Sequence, residues 1–163
     1  MSRRLVCSGL FIVWAAHDVE EVLSASRWSA ATVPRLLAEG WPPALVESLG
    51  TTTPRFAVAA AVVGIAVLAV TVRGVRTAGR SALFRAAVLV FGWHGAIHIG
   101  QALLMRGYIP GLVTATVLVI PYSILTLRYL RPAPIPTRTV ALVALAALTL
   151  TVLAQALSRL PPP

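Results

Sequence analysis

Long stretches of this chain carry no acidic or basic side chain, and such a stretch limits what the backbone can do. Residues 56–72 and 140–157 each run about one membrane thickness without an Asp, Glu or Arg. A helix of about 20 residues crosses the roughly 30 Å hydrocarbon layer. Inside that layer every backbone N–H and C=O must be satisfied within the segment, which leaves a helix as the economical solution. The expected fold is therefore all-α: a polytopic membrane helix bundle of about five transmembrane helices in a single domain, 1–163. The spans fall at about 5–28, 56–72, 82–104, 110–127 and 140–157, with 29–55 as an extramembrane or interfacial loop. In that loop Leu36, Leu37, Ala44, Leu45, Val46 and Leu49 suggest a short interfacial piece.

Composition supports this class and excludes others. The chain is 58% hydrophobic and 12% charged, with a mean hydropathy of +0.84. A soluble domain carries about 25% charged residues, so an ordinary soluble enzyme or a disordered tail does not fit. Cys7 is the single cysteine, which excludes an intramolecular disulfide and a cysteine-based metal cluster. The run from Leu5 to Ala16 is not a cleaved leader, because cleavage there would put Trp14 where a small residue is needed. Val6 before Cys7 likewise argues against a lipoprotein signal. Pro161 to Pro163 cannot extend a helix.

All 14 basic residues are arginine, and the net charge is +9. The arginines lie between apolar runs, which is a topology signal and not a stripe for nucleic acid. With the amino terminus in the cytoplasm of the cell membrane, the inner segments hold Arg3, Arg4, Arg73, Arg76, Arg80, Arg85, Arg128, Arg131 and Arg138. The outer ones hold Arg27, Arg35, Arg55, Arg106 and Arg159. The excess favours that orientation.

Of five acidic residues, Asp18, Glu20 and Glu21 sit together at the polar end of the first span. His17 lies twelve residues beyond Leu5, and His94 lies twelve beyond Ala82. Both imidazoles thus stand about 18 Å along their helices, at matching depth. His17, Glu20 and Glu21 share one side of a helix by i, i+3 and i, i+4 spacing, and His94, His98 and Gln101 form a second stripe. Ionisable groups at that depth are expensive and mark functional sites by default. Histidine nitrogens with carboxylate oxygens suit zinc or iron, so His17, Glu20, Glu21, His94 and His98 form a candidate set of divalent-metal ligands. Each also has an ordinary reading. A membrane histidine often makes a packing hydrogen bond, and the glutamates can mark an interfacial helix end beside Arg27. Asp18 points off the stripe, as a solvated or capping group would.

Trp93, Gln101, Arg106, Tyr108 and Tyr122 are candidate substrate contacts, and Thr114 can line the same cavity. Gln155, Trp14, Trp28 and Trp41 read as packing or interface anchors.

His17-Asp18-Val19-Glu20-Glu21 fits the signature of the HXXEE family of small bacterial membrane proteins, which this sequence resembles. The stretches from His94 to Leu104 and from Arg106 to Thr114 are also similar to that family, and the fifth span is generic. The resemblance implies a membrane protein and no particular activity.

The chemistry points first to a membrane-embedded metal-dependent enzyme acting on a lipid or other hydrophobic small molecule. Glu20, Glu21 and His17 are its candidate catalytic groups. A zinc ion would support hydrolysis and an iron ion oxygen chemistry. A metal-free acid–base isomerase or cyclase of terpenoid-like substrates, using Glu20 and Glu21, is the alternative. A metal-ion or proton transporter is a third reading, weakened by the lack of an internal repeat. The expected partners are the lipid bilayer and the hydrophobic substrate, and the sequence leaves the oligomeric state open.

Overall fold

The computed structural model describes residues 2–130 and 134–158. Arg131, Arg159 and Pro161 to Pro163 lie outside the described residues. Among the described residues six helices follow one another: α1 (Arg3–Ala38), α2 (Pro43–Leu49), α3 (Thr53–Arg76), α4 (Ala82–Leu104), α5 (Leu112–Leu130) and α6 (Thr137–Ser158). Four of them, α3 to α6, are long and apolar enough to cross a membrane. Helix α1 is longer than any of these, 36 residues, or about 54 Å. Its Asp18, Glu20 and Glu21 make it the polar member of the bundle.

Local chemistry sets the helix ends. The Ser2 hydroxyl accepts the Leu5 N–H at the start of α1, and the Ser81 hydroxyl accepts the Phe84 N–H at the start of α4. Arg73 and Arg76 occupy the last turn of α3, where cations complement the helix dipole. Helix α5 contains one π turn over Ala115–Val119.

The structure differs from the sequence expectation between 29 and 55. Helix α1 does not stop near Trp28 but continues through Pro34 to Ala38. Leu36 and Leu37 therefore belong to α1, and only Pro43–Leu49 forms a separate short helix. Tertiary contacts hold these extra turns. Leu36 is fully buried with Val46, Met105 and Ile109. The Ser29 hydroxyl accepts the Thr51 N–H at 2.9 Å, and Arg35 donates to the Met105 carbonyl at 2.9 Å. The loop folds back on α1 and supplies what a proline-containing helix lacks on its own.

Packing is dense at both ends of the bundle. Cys7, Leu10, Phe84, Val88 and Leu130 form a buried cluster at one end, and Leu36, Val46, Met105 and Ile109 form another at the α2 end. Between α3 and α4 the Phe84 ring lies against Gly74, where any side-chain carbon would collide with it. Large apolar side chains face outward, among them Leu23, Ile65, Leu103 and Leu148. In a bilayer those residues need no burial, so close packing of small residues and interhelical hydrogen bonds hold such a bundle together. His17, Glu20 and Glu21 of α1 and His94 and His98 of α4 lie between the two buried clusters.

Candidate metal centre

Helix periodicity brings the polar groups to one place. His17 and Glu21 are one turn apart on α1, and His94 and His98 one turn apart on α4. The His17 Nε2 atom lies 3.2 Å from His94 Nε2, and His98 Nε2 lies 3.0 Å from the same atom. Glu21 Oε1 is 3.4 Å from His98 Nε2 and 3.8 Å from His17 Nε2. One ligand atom from each of these four residues lies within 4.8 Å of every other. Ligands about 2.0–2.1 Å from a tetrahedral ion stand about 3.3 Å from one another, so the group fits an ion of that size. The group can hold a metal ion.

The outer faces of two imidazoles decide which nitrogen points inward. The Pro110 carbonyl, which can only accept, lies 2.9 Å from His98 Nδ1. His98 Nδ1 therefore carries the hydrogen, and in a neutral ring Nε2 presents a lone pair to the centre. His17 Nδ1 lies 2.9 Å from Thr114 Oγ1, which in turn donates to Glu20 Oε2 at 2.6 Å. Thr114 Oγ1 thus accepts from His17 Nδ1–H, and His17 Nε2 also presents a lone pair. A hydrogen on His94 Nε2 can serve one of these lone pairs but not both. A cation at the centre satisfies all three nitrogens together, and a carboxylate or carbonyl behind each ligating imidazole is the usual support.

The structure separates Glu20 from the other four candidate ligands. Its carboxylate accepts four hydrogen bonds, from the Tyr108 hydroxyl (2.8 Å), the Val113 N–H (3.2 Å), the Thr114 N–H (2.7 Å) and the Thr114 hydroxyl (2.6 Å). It caps the N-terminus of α5 from a neighbouring helix, where backbone donors and the helix dipole favour an anion. The turn before it needs glycine. Gly111 has φ +81°, and a Cβ there would meet His17 Cε1 at 2.6 Å and Glu21 Cγ at 2.9 Å.

His17 is fully buried and His98 6% exposed, whereas His94 is open at the bundle surface beside Trp93. The His94 ring stacks on Phe91 at 6.3 Å. Glu21 and His98, but not His94, form part of the wall of a cavity of about 140 Å³. Ala25, Trp28, Leu49, Thr51, Phe56, Gln101, Met105, Ile109 and Pro110 complete it.

The remaining sequence candidates fall as follows. Gln101 lines this cavity, and Tyr108 reaches the centre only through Glu20. Trp93 is 65% exposed and not among the cavity residues. Arg106 is exposed in the turn after α4, with φ 50°. Tyr122 is placed elsewhere: its hydroxyl donates to the Val6 carbonyl at 3.0 Å, and its ring packs beside the cluster around Leu10 and Phe84. Seven residues lie between Thr114, in the first turn of α5, and Tyr122, and the π turn is among them. Asp18, expected as a solvated or capping group, is half-buried. It lines an apolar groove of about 290 Å³ between α1 and α3, with Trp14, Ala57, Ala60 and Ala61.

Sequence reading missed Gly111, the Pro110 carbonyl and the aromatic wall of Trp28 and Phe56. The Pro110-Gly111 pair was a turn signal, but only the fold shows what that turn touches.

Fold and site together define a polytopic helical membrane protein with a histidine–carboxylate cluster inside its bundle. Residues 8–126 match the family described as "Protein of unknown function with HXXEE motif", and the chain belongs to that family. The matched region holds every residue of the cluster and ends before α6. Comparison with curated proteins and with solved structures returns no match.

Proposed function

We propose that this protein is a membrane-embedded metal-dependent enzyme that acts on a lipid or other hydrophobic small molecule. The observation that carries this reading is the convergence of His17, His94 and His98 through their Nε2 atoms. Two of those rings are held from behind, by Thr114 and by the Pro110 carbonyl. Three nitrogen ligands with room for a further group is the arrangement of catalytic zinc, and structural zinc is closed on all sides. Here Glu21 and His98 border a cavity, so a reacting group has somewhere to sit.

The chain's own residues divide the work. The three histidines would hold the ion, which would supply Lewis acidity there. Glu21 completes the set or moves a proton at Oε1, the atom nearest to His98 and His17. Glu20 holds α5 in place and, through Thr114, orients His17. The cavity walls are largely apolar, and the open flank at His94 gives a membrane-dissolved molecule a second approach.

The metal-free reading keeps less support, since the four donors on Glu20 leave Glu21 as the one carboxyl at the centre able to give up a proton. Transport is not favoured either, because buried Leu10, Phe84 and Val88 fill the bundle at the end away from α2. The arginine distribution favours the cell membrane, with the amino terminus in the cytoplasm and the α2 end outside.

Elemental analysis of detergent-purified protein beside His98→Ala tests the reading. The expected result is about one zinc or iron per wild-type chain, lost in the variant. Metal-free wild type after growth with both metals supplied overturns it.

A further inference from the structure

The cavity next to Glu21 and His98 has a size that restricts what can react there. Its volume is about 140 Å³. An apolar protein cavity of about 150 Å³ holds one benzene, whereas sites that enclose a whole drug-sized ligand measure about 300–1,000 Å³. A complete lipid therefore does not fit, but one ring or one branched five-carbon unit does.

The walls are specific about polarity. Ala25, fully buried, stands one turn from Glu21 on α1. Trp28 is fixed by its indole N–H, which donates to the Tyr108 carbonyl at 2.8 Å. Phe56 of α3, Met105 and Ile109 add apolar surface to the wall. Gln101 lies three residues beyond His98 on the same face of α4. Among the described residues its carboxamide makes no hydrogen bond, although it lines the cavity. On the cavity wall that carboxamide offers a donor and an acceptor to something that enters.

Resting on the metal-enzyme reading above, we propose that this cavity is the substrate subsite. It takes a membrane-soluble molecule whose metal-binding oxygen function is carried on a compact apolar group of about six or seven heavy atoms. That group fills the space between Ala25, Trp28 and Phe56, Gln101 holds the oxygen function, and any longer tail leaves through the open mouth.

Protein loaded with Co(II) in detergent micelles provides the test, because the visible bands of cobalt report the site before any ligand is added. Benzohydroxamate carries one ring on a metal-binding group, and 2-naphthohydroxamate carries two. Wild type is expected to bind the single-ring compound about tenfold or more tightly than the two-ring compound. Ala25→Leu fills the cavity and is expected to lose benzohydroxamate by about tenfold with its cobalt bands intact. Phe56→Ala widens the cavity and is expected to bring naphthohydroxamate up to the affinity of the smaller compound.

Equal binding of both compounds to wild type, or unchanged benzohydroxamate binding to cobalt-loaded Ala25→Leu, overturns the size assignment and leaves the metal site standing. If Ala25→Leu fails to take up cobalt, the Phe56→Ala comparison decides, and unchanged selectivity there overturns the assignment. No cobalt uptake by wild type overturns the metal reading and this inference with it.

Discussion

Glu20 and Thr114, 94 residues apart, are joined twice: the Thr114 N–H lies 2.7 Å and its hydroxyl 2.6 Å from the same carboxylate oxygen, Oε2. The hydroxyl also stands 2.9 Å from His17 Nδ1. One carboxylate thus caps a helix and sets the orientation of an imidazole on its own helix. The Glu-Glu pair of the motif is split by this geometry. Glu21 faces the histidines, and Glu20 faces the start of α5.

Removing the hydroxyl while keeping the shape separates these roles. Thr114→Val is expected to weaken zinc binding by about 10- to 100-fold, the usual effect of losing a group behind a ligating imidazole. Competition with a chromogenic chelator measures it. Unchanged affinity would mean that His17 needs no support from α5.

The two glutamates should fail differently. Glu20→Gln loses a charged acceptor of four hydrogen bonds and is expected to cost about 2 kcal/mol of stability while the protein still binds metal. Glu21→Gln is expected to lower metal affinity with little change in the melting temperature. Thermal unfolding and metal content measured on both variants check this, and the reverse pattern would make Glu20 the ligand.

Gly111→Ala places a carbon against His17 and Glu21 in a backbone conformation that costs a non-glycine residue about 1–2 kcal/mol. Both metal affinity and stability should fall. Gly107→Ala is the comparison, because the nearest atoms there are 3.8 and 3.9 Å away, and it should resemble wild type. Equal behaviour of the two variants would show that the turn tolerates a side chain.

Tyr108 offers a pH signature outside the spans. Burial raises its phenol above the ordinary 10.0, and the Glu20 carboxylate that it donates to raises it further. The folded protein then holds this proton more tightly than the unfolded chain. Its contribution to stability is complete below about pH 10 and is lost as pH rises through the folded value. The tyrosinate absorbance of wild type minus Tyr108→Phe should show a midpoint above 10.0. A midpoint at or below that value would mean that the bond to Glu20 is not made.

How much of this was legible beforehand follows from the range over which each force acts. The positions of the four long apolar helices were, because apolar length and the need to satisfy the backbone are local properties of a segment. The meeting of the polar side chains of α1 and α4 was too, since i, i+4 spacing gives each helix a polar stripe at the same depth, whereas the packing of α1 on α3 was not. The continuation of α1 to Ala38 was not, because it depends on Leu36 meeting Val46 and Met105. Nor was the position of Tyr122, which one π turn and the Val6 carbonyl place at the far end.

The sequence by itself determined the class of protein, the approximate positions of its four long apolar helices and the residues from which a metal centre can be built. Only the tertiary structure decided that Glu21 and not Glu20 joins the histidines. It also decided that Pro110 and Thr114 hold the rings, and that Trp28 and Phe56 shape the space beside them. The physical reason is one of direction. Periodicity tells which face a side chain leaves from, but a carboxylate goes where donors await it, and those donors are the free N–H groups of a helix that begins more than 90 residues away.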